Sequence, residues 1–309
     1  MTDSAAQLPS DGQTPAPAAF GRVVVAVGTD GGVAAIDLAL ALAAPDAVFV
    51  LVRIHHAQHR AGAVAQDNAR ARDTAEALRL LKVGRAALDR PCEIVVEDDT
   101  NLIEGLHRVA SREDADLLVV GAHRDLDDAA SALPGVLHGA PCAVAVVGQR
   151  PAADAFRIEK VGVAFCATPV GTHAAHVAAA AAARHDAELH AMHVVPVEVS
   201  PWMGPAASAL HELQRLDGSL AEAARADISE LRPPATAHVV EGHPIQALTD
   251  FGATLDLLTI GSRAAGPLRR LLLGSTADAL CTVSPCALLV VAGPDTEPEP
   301  ESETEVQAP

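Results

Sequence analysis

Residues 261–280, GSRAAGPLRRLLLGSTADAL, are the part of the chain whose residue types point most clearly to chemistry. Gly274-Ser275-Thr276 opens a helical pattern, and a helix N-terminus offers unpaired N–H groups and the positive end of its dipole. Glycine lets an anion approach that backbone closely, and Ser275 and Thr276 add hydroxyl donors. Arg263, Arg269 and Arg270 place positive charge beside them on an otherwise acidic protein. Gly261 is read as the end of a strand and the start of the loop. The pattern describes an anion site suited to a nucleotide phosphate, with Ser275 equally fit to be a plain N-cap.

Other reactive residues lack partners at useful spacing. His173 and His176 share a helix face near Cys166, but no third and fourth ligand stands at zinc-motif spacing. His55, His56 and His59 follow a strand at a cleft edge. His243 stands in a turn within reach of a ribose or phosphate, and His193 reads as structural. Cys142 and Cys286 recur at equivalent places and read as buried packing, since cysteine behaves as a small hydrophobe. Cys166 stands at a strand end near a helix N-terminus, a position that suits a redox-sensing thiol. Walker A, HExxH, nucleophile-elbow and GxGxxG patterns are missing. The chain is therefore expected to be a binding protein, not an enzyme, slow ATP hydrolysis aside.

The elements that carry these residues come in two sets. DADLLVVGAH at 114–123 matches TLDLLTIGSR at 254–263, and PCAVAVV from Pro141 matches PCALLVV from Pro285. VVVAVGTDGG at 23–32 faces KVGVAFCATP at 160–169. Three landmarks in one order indicate a duplicated domain, with the boundary near 149–157. In each copy, strands near 22–28 or 159–165, 47–54 or 187–195, 92–97 or 236–241, 116–121 or 256–261, and 143–147 or 287–291 alternate with helical patterns. A long helical stretch is expected at 62–87 and at 207–231. Strands apolar on both faces and separated by helices predict α/β architecture, two tandem doubly wound parallel five-stranded sheets. Ligands in such sheets bind beyond the carboxyl ends of the strands. The fifth strands are exposed edges, and pairing 143–147 against 287–291 would cover both in an intramolecular pseudo-dimer. Whether two chains pair further is left open.

Composition excludes several classes. The chain has 309 residues, half of them hydrophobic, yet only five Phe, one Trp and no Tyr. A net charge of −18 argues against nucleic acid as a partner. Six acids and no base lie in 294–309, and 1–19 are polar and proline-rich, so both ends are expected to be disordered. Five cysteines without a CxxC, no secretory signal and no long apolar run give an expected cytoplasmic location without membrane contact.

With these motifs placed, the chain resembles the universal stress protein family in tandem form. That family carries G-x-x-G, nine residues, then G-S/T. Here Gly261 is followed by Ala264 in place of the second glycine, then nine residues, then Gly274-Ser275. Its E-G-x-P turn corresponds to Glu241-Gly242-His243-Pro244, and its H-V-V to His193-Val194-Val195. The resemblance implies domains at 20–149 and 158–293 between tails at 1–19 and 294–309. It implies a stress-response regulatory protein with the Rossmann-like, adenine-nucleotide-binding fold, and ATP as ligand of the second copy, with Mg²⁺ accompanying it when bound. Gly261, Arg263, Gly274, Ser275 and Thr276 would hold phosphates, and Val194 would offer backbone contacts to adenine. Two departures bear on this. ATP-binding relatives carry an Asp at the end of strand one, where this chain has Gly28 and Cys166. Asp30 and Thr168-Pro169 beyond them read as helix caps. The first copy's loop is four residues shorter, places Ala130-Ser131 opposite Gly274-Ser275, and holds Asp125, Asp127 and Asp128. Three carboxylates repel a triphosphate, so the first copy is expected not to bind ATP. The competing expectation is a nucleotide-independent structural or signalling protein acting through dimerisation or partner contacts.

Overall fold

The computed structural model describes residues 19–28, 32–56, 63–99, 101–121, 132–149, 156–196, 234–265, 270–272 and 274–293, with a few residues between 222 and 231. Both tails, the boundary at 150–155, the first copy's loop at 122–131 and most of the 207–231 stretch lie outside them.

In the first half, strands β1 (Phe20–Ala26), β2 (Ala43–His56), β3 (Cys92–Asp99), β4 (Leu117–Val120) and β5 (Ala143–Val146) alternate with helices. The helices are α1 (Val33–Leu42), α2 (Ala63–Leu88), α3 (Leu102–Arg112) and α4 (Ala132–Leu137). The second half has β6 (Lys160–Ala164), β7 (Glu188–Pro196), β8 (Ala235–Gly242), β9 (Leu257–Ala265), β10 (Arg270–Leu272) and β11 (Ala287–Ala292). Among the described residues, helices α5 (Pro169–His185), α6 (Pro244–Gly252) and α7 (Ser275–Val283) lie in this half, with further helical residues at 222, 225, 226, 228 and 229.

Each half is a doubly wound parallel sheet, as the strand–helix alternation predicted, and the two run together. The strand order is β3-β2-β1-β4-β5-β11-β9-β6-β7-β8. Neighbours in this order within a half are parallel, while β5 and β11 meet antiparallel, with Leu288 opposite Val146, Leu289 opposite Ala145 and Val290 opposite Val144; β10 lies off this order and pairs antiparallel with β9. An antiparallel seam between two parallel sheets points their carboxyl ends in opposite directions. The two ligand crevices expected at those ends therefore open on opposite edges of the molecule.

Alternate residues of each strand feed a core on each face. Val23 and Val25 pack on the face covered by α1, α2 and α5, and Val24 on the face covered by α3, α4, α6 and α7. All three valines are fully buried, contributing roughly 1.5–3 kcal/mol each. The scarcity of aromatics has a counterpart in α5, whose inner face is Ala174, Ala175, Ala178 and Ala182, all fully buried. Side chains this small seat the helix close to the sheet.

The aspartates shared by the two repeats have one structural task in both. Asp116 accepts from the Gly21 amide at 2.7 Å and the Arg22 amide at 3.0 Å. Asp256 accepts from the Glu159 and Lys160 amides, both at 2.9 Å. Each carboxylate fastens the start of its half's fourth strand to the start of its first. Cys142 is buried beside β5, and loss of hydration pushes its thiol up to about 12. At neutral pH it is a packing group, as its position suggested.

Candidate functional site

The carboxyl end of the second half's sheet is built around the first turn of α5. Thr168 is the N-cap: its Oγ1 accepts from the Gly171 amide at 3.1 Å, and Pro169 follows at the first helical position. This is the capping pair read from the sequence. Cys166, just beyond the end of the second half's first strand, is exposed, with Sγ 3.1 Å from Thr168 Oγ1. Gly171 is required here by packing, since a Cβ on it would lie 2.0 Å from the Cys166 carbonyl oxygen.

Gly261 does not end its strand. β9 continues to Ala265 and folds back on β10, with Ala265 opposite Arg270, Ala264 opposite Leu271 and Arg263 opposite Leu272. The expected phosphate loop is thus partly a hairpin. The residues that drive this are the leucines after Gly266-Pro267: Leu271 is fully buried, and Ser262 Oγ donates to the Leu272 carbonyl at 2.7 Å. Leu271, in the apolar run after Gly266-Pro267, was the signal in the sequence. Gly261 itself faces Val170 of α5, whose Cγ1 would be 2.6 Å and whose carbonyl oxygen 2.8 Å from an added Cβ. The Arg263 backbone belongs to the hairpin; its side chain, and all of Arg269, lie outside the described residues.

Gly274, Ser275 and Thr276 do form a helix start. Gly274 is the N-cap of α7, with φ −82° and ψ 163° and no side-chain hydrogen bond to the free amides. Nothing lies within 4 Å of where its Cβ would be. Ser275, read as a candidate N-cap, is instead the first helical residue. It is exposed, Thr276 is half-buried, and Asp278 stands in the same turn. The opening lies on a cleft of about 310 Å³ lined by Gly274, Ser275 and Asp278 on one side and Pro134, Gly135 and His138 of the first half on the other. The antiparallel seam brings the first half's α4 to this end of the second half's sheet, so one wall of the cleft belongs to each half.

Val194 stands on β7 opposite Val240 of β8, half-buried. β6 pairs with β7 only as far as Met192, so β7 at Val194 has lost its neighbour on that side. In the sheet order, β6 separates β7 from the β9 that carries Gly261. His193 is structural: its Nδ1–H donates to the Phe165 carbonyl at 3.1 Å, joining the ends of β7 and β6. Arg53 does the same task in the first half, donating from Nη1 to the Val27 carbonyl at 2.9 Å. This equivalence of Arg and His was hidden in the sequence because the two residue types differ. His243 is the N-cap residue of α6 and makes no side-chain capping bond.

The acidic residues Asp125, Asp127 and Asp128, with Ala130-Ser131 and Asp30, lie outside the described residues. Among the described residues, no group of three or more His, Cys, Asp or Glu is placed to hold a metal ion. No described helix is long and apolar enough to cross a membrane.

Comparison with known proteins returns one family twice. The model of the universal stress protein family matches residues 19–148 and again 157–292. A universal stress protein from Archaeoglobus fulgidus DSM 4304 superposes with a TM-score of 0.60 at 15% identity, covering 89% of this chain and 97% of its own. A protein of unknown function from Pseudomonas aeruginosa PAO1 gives 0.59 at 17% identity, over 91% of this chain and 95% of its own. A putative universal stress protein from P. aeruginosa UCBPP-PA14 gives 0.57 at 17% identity, over 89% and 94%. At these identities the likeness is one of fold. No curated protein matches the chain.

Proposed function

The chain belongs to the universal stress protein family, with two copies of its domain, and from that membership we propose that it is a regulatory binding protein taking one adenine nucleotide in its second half. The reading is supported above all by the start of α7. An uncapped N-terminus with an open glycine faces a cleft of about 310 Å³ at the carboxyl end of the sheet. Unpaired amides at a helix start favour a phosphate oxygen. Ser275 lies beside them, and Arg270 on β10 supplies positive charge nearby in sequence. Gly274, Ser275 and Arg270 thus suit the phosphate end of ATP, and Asp278 in the same turn is the one described carboxylate on the cleft that opposes it. The bound triphosphate would bring Mg²⁺ through its own oxygens, with no protein ligand set required. The adenosine end has Val194 on the open side of β7. The absent strand-one aspartate removes one polar partner there, and Cys166 does not replace it as a carboxylate. Arg263 and Gly261 play lesser roles in this reading, since β9 holds the backbone of both in the hairpin. The first half serves as the structural partner.

The test is Gly274→Glu. A carboxylate at a helix N-cap suits the dipole, so the fold should be kept, while its charge opposes a phosphate. ATP affinity is expected to fall at least about tenfold, roughly 1.4 kcal/mol. Unchanged affinity removes α7 from the site.

A second reading has Cys166 in its favour: a nucleotide-independent protein acting through dimerisation or partner contacts. It predicts that Ser275→Ala leaves cellular phenotype and oligomeric state unchanged.

A further inference from the structure

β10 makes a contact that belongs to neither half alone. The Leu271 amide donates to the Ala140 carbonyl at 3.0 Å, and the Gly139 amide donates to the Leu271 carbonyl at 2.8 Å. Leu271 is fully buried. Gly139 holds φ +81°, and the nearest atom to its would-be Cβ is His107 Cε1, at 3.8 Å. His107 reaches this place from α3, with Nε2 2.7 Å from the Val136 carbonyl. A carbonyl only accepts, so Nε2 carries the hydrogen and Nδ1 is the nitrogen that titrates.

The charges around His107 are arranged against that titration. Burial holds its pKa below the usual imidazole value, the Val136 bond opposes this, and Arg270 and His138 push it down further. Arg270 precedes Leu271 on β10, and His138 precedes Gly139, so each repelling group adjoins one side of the two-bond contact. The acids nearby do not balance them. Glu104, one turn earlier on α3, is exposed. Asp278 of α7 lines the cleft with His138. Glu97 and Asp99 of β3 are paired with Arg108.

We propose that the contact between β10 and residues 138–140 is a proton-sensitive latch between the two halves, closed while His107 is neutral and released when it is protonated. A charge placed on His107 repels Arg270, and that repulsion acts on the strand that makes both bonds. The sign follows from a native pKa below the unfolded one. Closure is complete above about pH 6.5, the ordinary histidine value, and is lost as pH falls toward the native value. The latch stands on this geometry and does not depend on nucleotide binding.

Hydrogen exchange of the Leu271 and Gly139 amides, corrected for the intrinsic effect of pH, tests it. Protection should fall below about pH 6.5, by up to about tenfold per pH unit, the limit for one proton. In His107→Gln, which keeps a donor for Val136 but cannot titrate, the fall should vanish. In Arg270→Gln, a change at an exposed side chain, it should become shallower. Flat protection in the unaltered protein overturns the proposal, as does an undiminished fall in His107→Gln. Should His107→Gln fail to fold, an undiminished fall in Arg270→Gln overturns it equally.

Discussion

Leu289→Asp is expected to lower stability by more than about 4 kcal/mol, or to prevent folding. Leu289 is fully buried on β11, directly opposite Ala145 across the seam. On the face it occupies, Phe20 and Leu42 of the first half and Val177 and Ala181 of the second surround the same small gap. Deleting a leucine of this kind costs roughly 2–5 kcal/mol by lost burial and cavity alone. A carboxylate adds its desolvation, because Arg184, the nearest cation in that group, already donates to the Leu42 carbonyl at 3.1 Å. Domains have only about 5–15 kcal/mol in total. Urea denaturation of the whole chain reads the effect. A midpoint close to that of the unaltered protein would mean the two halves do not meet along β5 and β11.

The second large effect separates two glycines that one motif joins. Gly261→Ala is expected to cost about 1–3 kcal/mol, the usual range for forcing a methyl into a packed site. The added Cβ meets both the side chain and the carbonyl oxygen of Val170. Only the side chain can be trimmed, so Val170→Ala should rescue the loss in part. Gly274→Ala meets no atom within 4 Å and keeps a φ of −82° that alanine adopts freely. Its cost should stay below about 1 kcal/mol, the weaker preference of alanine at an N-cap. Thermal denaturation compares the pair. Equal losses at both positions would contradict the assignment of Gly261 to packing and Gly274 to the open helix start.

The fold was legible because duplication doubled the signal. The repeated Asp-Leu-Leu and Pro-Cys-Ala segments marked the duplicated strands and the matching of β5 with β11. Helix starts were legible where a short polar residue precedes a proline, as at Thr168-Pro169. The site was read less fully, for reasons that lie in tertiary structure. Glycine in a loop motif carries no mark of whether a ligand or a neighbouring backbone excludes the side chain, and Gly261 turns out to face Val170. Leu271 looked like part of a loop because its burial depends on the other half, whose approach follows from the seam. The exchange of His193 for Arg53 at one structural post was masked by unlike residue types making the same bond to a strand-end carbonyl.

The central claim is a single nucleotide site per chain, at the start of α7 in the second half. Calorimetric titration of the nucleotide-free full-length protein with ATP and Mg²⁺ tests it most directly. The account predicts heat that saturates at one ATP per chain and weakens at least about tenfold in Gly274→Glu. No heat up to about 1 mM ATP, where binding would be worth only about 4 kcal/mol, contradicts it. Saturation at two per chain contradicts it as well, since the first half would then bind.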